Sequence, residues 1–305
     1  VPYGRVDHAE LHPHAAEVPR TVARRILAGT DKRGADLAMR HDQGLADSLD
    51  ERMLELLLPA SAVESLGRWL ADPERGQGYA NGTGTHSVRY RPSAWKAVAP
   101  WPGTFADRAA AESASVSRAE VMAAVRAAER SENWAEAFVA TQVWGYGDRG
   151  YGPHRTCQVL ARPGVEAVLT EAVSLLVDRG AVAAYERLDT LHGLGPAYFT
   201  KFLYFAGQAL SDMKGPRPLI LDSVLAGVLR RHATKVGLAA GYEWSERIAR
   251  WIWRRSGWSS HRYDVYLRWM YAANEQLEAA SIDWPAAPDV LELALFSSAW
   301  DPERP

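Results

Sequence analysis

The sequence predicts a mainly α-helical protein with one small β element near residues 76–103. Apolar residues recur at helical spacing through most of the chain, and capping signals or glycine and proline breaks separate the segments. Only the region from Gly76 to Gly103 departs from this, being rich in Gly, Thr and Pro and alternating at Val88-Arg89-Tyr90-Arg91 as a half-buried strand does.

Taken in order, residues 1–75 read as helices with polar connections, clearest at Leu54–Leu58 and Ser61–Leu70 before Asp72-Pro73. Ser117-Arg118-Ala119-Glu120 has the form of a capping box, so a helix is expected through Glu129, and a second from about Asn133 to Val143. The stretch Trp144–Pro153 carries four glycines and a proline and is expected to be a loop with aromatic tips. Helices follow over Arg155–Leu160, Val165–Arg179, Val182–Leu188, Pro196–Leu210 and Asp222 to about Thr234. Trp244, Ile248, Trp251 and Ile252 give one apolar stripe beside a basic face, and His261–Leu277 and Val290–Trp300 complete the series.

At 305 residues, 47% hydrophobic and 24% charged, the composition is that of a globular protein with a sizeable core. No run of about 18 uncharged apolar residues occurs, and the first residues resemble no secretory leader, so a cytoplasmic location without a membrane partner is expected. Cys157 is the only cysteine, which excludes an internal disulfide and any four-cysteine cluster, and no spacing suggests zinc, so no metal is expected at the site. A net charge of −2 argues against a nonspecific nucleic-acid coat. Local cationic groups are nevertheless present, at Arg230, Arg231 and Lys235 and at Arg247, Arg250, Arg254 and Arg255. The 12 tryptophans suit either a large core or stacking on bases and sugars.

Leu191-His192-Gly193-Leu194-Gly195-Pro196-Ala197 is the most informative stretch. Both glycines permit positive φ in a tight turn, and Pro196 suits the first position of a helix. Backbone N–H groups at such a turn, at the positive end of a helix dipole, can hold a phosphate oxygen without a cation. An ordinary helical corner is the plainer alternative. Asp222, downstream, is a good helix cap in its own right.

Together, the hairpin, the helix after it, a short extended run and Asp222 resemble the helix-hairpin-helix DNA glycosylase superfamily, with an 8-oxoguanine DNA glycosylase-like fold. The resemblance covers roughly residues 117–277 and implies a two-lobed fold. Its division is residues 1–116 as an N-terminal region with the β element, 117–277 as the helical core, and 278–305 as a C-terminal helix and tail.

The resemblance further implies a DNA glycosylase acting on double-stranded DNA that carries a modified base. Gly193, Leu194, Gly195 and Ala197 would contact phosphate, and hairpin carbonyls can hold a potassium or sodium ion, although no cofactor is required. Asp222 would stabilise the positive charge that grows on the sugar as the N-glycosidic bond breaks. The position at which related enzymes carry a nucleophilic lysine is Ala197 here, whereas Lys201 lies one turn on. Water attack in a monofunctional enzyme, or a Schiff base at Lys201, is left open. Tyr146 or Tyr151 would wedge into the duplex and Arg155 would face the opposite base, while Phe199, Phe202, Tyr263 and Tyr266 are candidates for the base pocket. The Gly-aromatic loop is also similar to that of a bacterial anti-phage group associated with glucosylated 5-hydroxymethylcytosine. Alternatives are an 8-oxoguanine repair glycosylase/lyase using Lys201, a noncatalytic helix-hairpin-helix DNA-binding module, and a helical protein-interaction domain.

Overall fold

The computed structural model describes residues 39–303 except residues 109 and 281; the expectations for residues 1–38 lie outside the described residues. The chain divides into two units, Val1–Leu45 and Ala46–Pro305. Residues 39–45 of the first are helical, and all the elements that follow belong to the second.

This unit is mainly helical. Helix α1 (residues 46–55) and α2 (Ala60–Ala71) precede a stretch of short 3-10 turns that carries strand β1 (Ser87–Tyr90). Strand β2 (Ala114–Ser117) then leads directly into α3 (Arg118–Ser131), α4 (Trp134–Tyr146), α5 (Gly152–Leu160), α6 (Val165–Arg179) and α7 (Ala181–Asp189). Helices α8 (Pro196–Ala209), α9 (Ser223–Ala239), α10 (Ser245–Ile252), α11 (Ser260–Ala279) and α12 (Pro288–Phe296) follow. Helix α1 stops at residue 55, three residues before the expected end, because Pro59 disfavours helix in the residues leading to it.

The two strands pair antiparallel, Val88 opposite Val116 and Tyr90 opposite Ala114. The second strand falls outside the region expected to hold the β element. It is four residues long and merges with a helix cap, so it leaves little alternation to read. Ser117 closes the strand and caps α3 in the expected box: its Oγ accepts from Glu120 N–H at 3.2 Å, and Glu120 Oε2 accepts from Ser117 N–H at 2.7 Å.

Helix α4 is buried over nearly its whole length and packs on α3, α5, α6 and α8. It continues through Trp144 and Gly145 to Tyr146, and α5 starts at Gly152, so the expected long loop shrinks to residues 147–151. Two of the glycines read as breakers, Gly145 and Gly152, are packing residues inside helices. A methyl on Gly145 would stand 2.7 Å from Lys201 Cδ, and one on Gly152 would stand 2.5 Å from the Tyr146 ring. Gly147 alone ends the helix, with φ +53. The stripe expected on α10 is also corrected: Ile248 and Ile252 are buried, but Trp251 is 43% exposed, since α9 covers only one side of this short helix.

An ion pair lies inside this core. Arg118 donates to Glu292 Oε1 at 2.9 Å, with both side chains almost wholly buried, and the guanidinium lies 4.9 Å from the Tyr204 ring centre and 5.1 Å from that of Trp144. The other carboxylate oxygen, Glu292 Oε2, accepts from Ile220 N–H at 2.7 Å. Burial pushes the Glu292 carboxyl up to about 7, against the pull of Arg118 and of that N–H. Removing one partner of such a pair costs about 3–5 kcal/mol, because the other remains buried and unpaired. Arg118→Met is therefore expected to lower the urea unfolding free energy by about that amount. Arg118→Met/Glu292→Gln is expected to recover a substantial part of it, since the amide oxygen still accepts from Ile220.

Candidate active site

Helix α7, a turn over residues 190–195 and α8 form the hairpin read from the sequence. Gly193 takes φ +85, but Gly195 is extended at φ −83, contrary to the expectation for both glycines. The second glycine caps α8 instead, with Pro196 at the first helical position. Leu194 N–H donates to Leu191 O, and the N–H groups of Tyr198 and Phe199 donate to Gly195 O. Among the described residues no protein acceptor takes the N–H of Gly195 or Ala197, which leaves both at the positive end of α8. Leu194 itself is buried.

From α8 the chain returns to the start of α9 through a segment gripped at almost every step. Tyr271 donates to Arg217 O at 3.1 Å, Tyr263 to Leu219 O at 2.8 Å and Tyr266 to Ile220 O at 2.5 Å. Thr200 Oγ1 accepts from Leu221 N–H at 3.2 Å and donates to Pro196 O at 2.7 Å, which fixes the segment to the first turn of α8. Asp222 is the next residue. Its Oδ1 caps α9, accepting from Val224 N–H at 2.9 Å and Leu225 N–H at 3.1 Å, and among the described residues Oδ2 has no hydrogen-bond partner. The carboxylate is thus held by one oxygen and left with the other.

Lys201, on α8, is 8% exposed and donates to Ala197 O at 2.6 Å. Burial pulls its amine below the ordinary lysine value, while the Asp222 carboxylate, and after it Glu292, favour the charged form. Lys201 and Asp222 are therefore electrostatic neighbours. The aliphatic stem of Lys201 passes over Gly145, where no side chain could fit without displacing it.

The aromatic tips join this group as one array. Lys201 Nζ lies 5.5 Å from the centre of the Tyr198 ring, which stacks on Tyr146 at 4.2 Å. Tyr146 meets Tyr151 edge-on at 5.7 Å, and the Arg155 guanidinium lies 5.6 Å from Tyr151. Contact with Tyr198, then with the Arg149 guanidinium, holds the Tyr151 phenol below its ordinary value. Tyr151, Arg149 and Arg155 stand exposed. Tyr146 is 4% exposed within α4 and cannot enter a duplex from there, which corrects its expected role as a wedge.

The expected base pocket is corrected in the same way. Phe199, Phe202, Tyr263 and Tyr266 are completely buried. Phe199 packs on Tyr185 and Phe202 on Phe138, while the two tyrosines spend their hydroxyls on the backbone before Asp222. They build the support of the site and offer no surface to a base. Sequence reasoning missed Tyr198, Arg149, Gly145 and Glu292. Tyr198 was within reach, because it stands three residues before Lys201 on the same helix face.

A cavity of about 520 Å³, lined by Leu56, Leu58, His232, Val236 and Trp300 among others, lies along the far half of α9. His232 is packed there against Trp269 and Trp300, and burial pushes its imidazole down to about 4. This cavity is roughly 15 Å along α9 from Asp222, too far to be the reaction site. Among the described residues, Asp47, Asp50 and His261 bring potential metal-ligand atoms within 4.8 Å of one another. Asp50 Oδ1 already accepts from Arg262 at 2.5 Å.

A glycine hairpin thus opens one helix, and an acid caps the next. The family model described as "Putative 8-oxoguanine DNA glycosylase OGG-like protein" matches residues 81–296. The chain belongs to this OGG-like DNA glycosylase family. No curated protein and no solved structure matches it. Among the described residues no helix is long and apolar enough to cross a membrane.

Lys201 is expected to titrate below 10.5, and Asp222→Asn is expected to lower it further, because the carboxylate is the largest influence favouring the charged amine. The measurement is an NMR pH titration of the reductively ¹³C-methylated protein, with Lys201→Arg assigning the resonance.

Proposed function

We propose that the protein is a DNA glycosylase that extrudes a modified base from duplex DNA and breaks its N-glycosidic bond beside Asp222. The observation that carries this reading is the carboxylate itself. Ordinary capping uses Oδ1 alone, while the tightly gripped segment before it fixes where Oδ2 stands. As the C1′–N bond breaks, the base leaves with the electron pair and the sugar becomes cationic, so a fixed anion lowers the barrier. The N–H groups of Gly195 and Ala197 would hold a backbone phosphate, and Tyr151, exposed at the tip of the array, would fill the vacated space, with Arg155 beside it.

In the first reading water attacks C1′ and the enzyme is monofunctional. A specific observation also favours a second reading: Lys201 is a buried amine of lowered basicity near Asp222, the condition under which a neutral lysine attacks C1′. The base leaves with the C1′–N electron pair, the new ammonium gives up a proton, and the C1′–O4′ bond opens, O4′ taking a proton, to leave a protonated imine. The substrate class we propose is a modified base of phage DNA, with glucosylated 5-hydroxymethylcytosine first and 8-oxoguanine in cellular DNA second. Its support is the combination of the hairpin with the glycine-aromatic stretch Trp144–Pro153.

Asp222→Asn is expected to lower single-turnover base release by at least a hundredfold while leaving duplex affinity within about threefold. Retained release would remove Asp222 from the chemistry, and unmodified binding with no release in either protein would favour a noncatalytic module. Borohydride added during turnover is expected to trap a covalent DNA adduct, lost in Lys201→Arg, only if the amine attacks. Mass spectrometry of bases released from phage DNAs of different modification, and from 8-oxoguanine duplexes, identifies the substrate.

A further inference from the structure

We propose that a second cleft, beside the start of α9, is a cationic site for a backbone phosphodiester of the DNA strand, a few nucleotides from the one on which Asp222 acts. It rests on the glycosylase reading and adds a contact that neither the hairpin nor the family match supplies. The cleft encloses about 290 Å³, and its lining includes Ser223, Gly227, Arg230, Arg231, Trp253 and Arg255.

Its chemistry is one-sided. Three arginines and a serine line it together with Trp253, and no acidic residue does. Asp301 engages Arg231 at 2.8 Å, but among the described residues Arg230 and Arg255 form no ion pair. Trp253 is 1% exposed, yet its Nε1–H has no hydrogen-bond partner. The same holds for the Nε1–H of Trp101, Trp144 and Trp269, so the indole serves as a closed wall of the cleft. An anionic oxygen entering the cleft is the partner that Arg230 and Arg255 lack among the described residues.

The backbone adds a second sign. Gly227 lies in the interior of α9, where glycine costs about 1 kcal/mol relative to alanine. Packing does not demand it: a methyl there would meet nothing closer than Arg231 Nη1 at 3.5 Å, an ordinary contact. By contrast, a methyl on Gly237 in the same helix would stand 2.4 Å from Ser245 Cβ. The missing side chain at 227 leaves the floor of the cleft open. Ser223 and Gly227 share a face of the helix with Arg230 and Arg231.

Position ties the cleft to the reaction site. Ser223 directly follows Asp222, and Arg230 lies about 12 Å farther along the helix at 1.5 Å per residue. A single strand rises about 3.4 Å per nucleotide, so a strand held at the hairpin and passing Asp222 reaches the arginines within a few nucleotides. The hairpin holds phosphate through backbone dipoles, whereas this cleft does so through full charges. In a chain of net charge −2, such a local cluster supplies the cationic contact that the overall balance does not.

The test is binding of a duplex to the full protein across a salt series, comparing wild type with Arg230→Gln/Arg255→Gln. Single uncharged methylphosphonate linkages are walked outward from the target nucleotide. Loss of one phosphate contact is expected to reduce the slope of log affinity against log salt by about one. One linkage that weakens wild-type binding is expected to become silent in the variant. Equal slopes with the same sensitive linkages in both proteins would overturn the proposal. So would inorganic phosphate titrating the cleft in wild type and not in the variant while the methylphosphonate pattern stays unchanged, since the occupant would then be a free anion. Because the readout is binding, a slope difference without base release would keep the phosphate site and retire the glycosylase reading, and base release with equal slopes would do the reverse.

Discussion

The buried pair between Arg118 and Glu292 is the constraint on which the site depends. Glu292 comes from α12 and Arg118 opens α3, and between them they fix the backbone of Ile220, two residues before Asp222. A carboxylate that takes an arginine on one oxygen and a backbone N–H on the other cannot slide along the segment without breaking one of them. Such a pair contributes little net stability, because desolvation offsets most of the Coulombic attraction. What it contributes here is register. With Tyr266, Tyr263 and Thr200 on neighbouring backbone groups, the capping acid of α9 acquires a defined place relative to α8.

The division between what was legible in the sequence and what was not follows the range of the interactions. The helices could be read because their caps and periodicity are local: the Ser117–Glu120 box, Gly195-Pro196 and Asp222 are all satisfied within a few residues. Strand β2 could not, because its four residues have one buried position, Val116, and owe their conformation to β1. Gly145 was misread for a related reason. Locally it is a helix breaker, and only the side chain of Lys201 on another helix explains why it stands inside α4. The four aromatics assigned to a base pocket were placed on the correct helices. Which face of a helix turns inward is decided by its neighbours, however, and these all turn inward.

The array from Arg155 through Tyr151, Tyr146 and Tyr198 to Lys201 shows how one short loop can serve two depths of the molecule. Its outer members are exposed and cationic or amphipathic, and its inner members are buried around an amine. The tyrosine stack leaves few rotamers open to any of them, since each ring is bounded by the next. This stiffness is consistent with the small glycines at 145 and 152, which let backbone and ring approach more closely than any other residue would allow.

Position 222 meets two demands that are separable. Starting α9 needs only an oxygen that accepts two backbone N–H bonds, and serine, threonine or asparagine can provide it. The cap itself therefore needs no acid, although the carboxylate also favours the charged form of the buried Lys201 amine. A family member that had exchanged this acid for a neutral cap would still start α9 and fold like the others. Inventories of such chains by fold alone would thus count inert copies together with working ones.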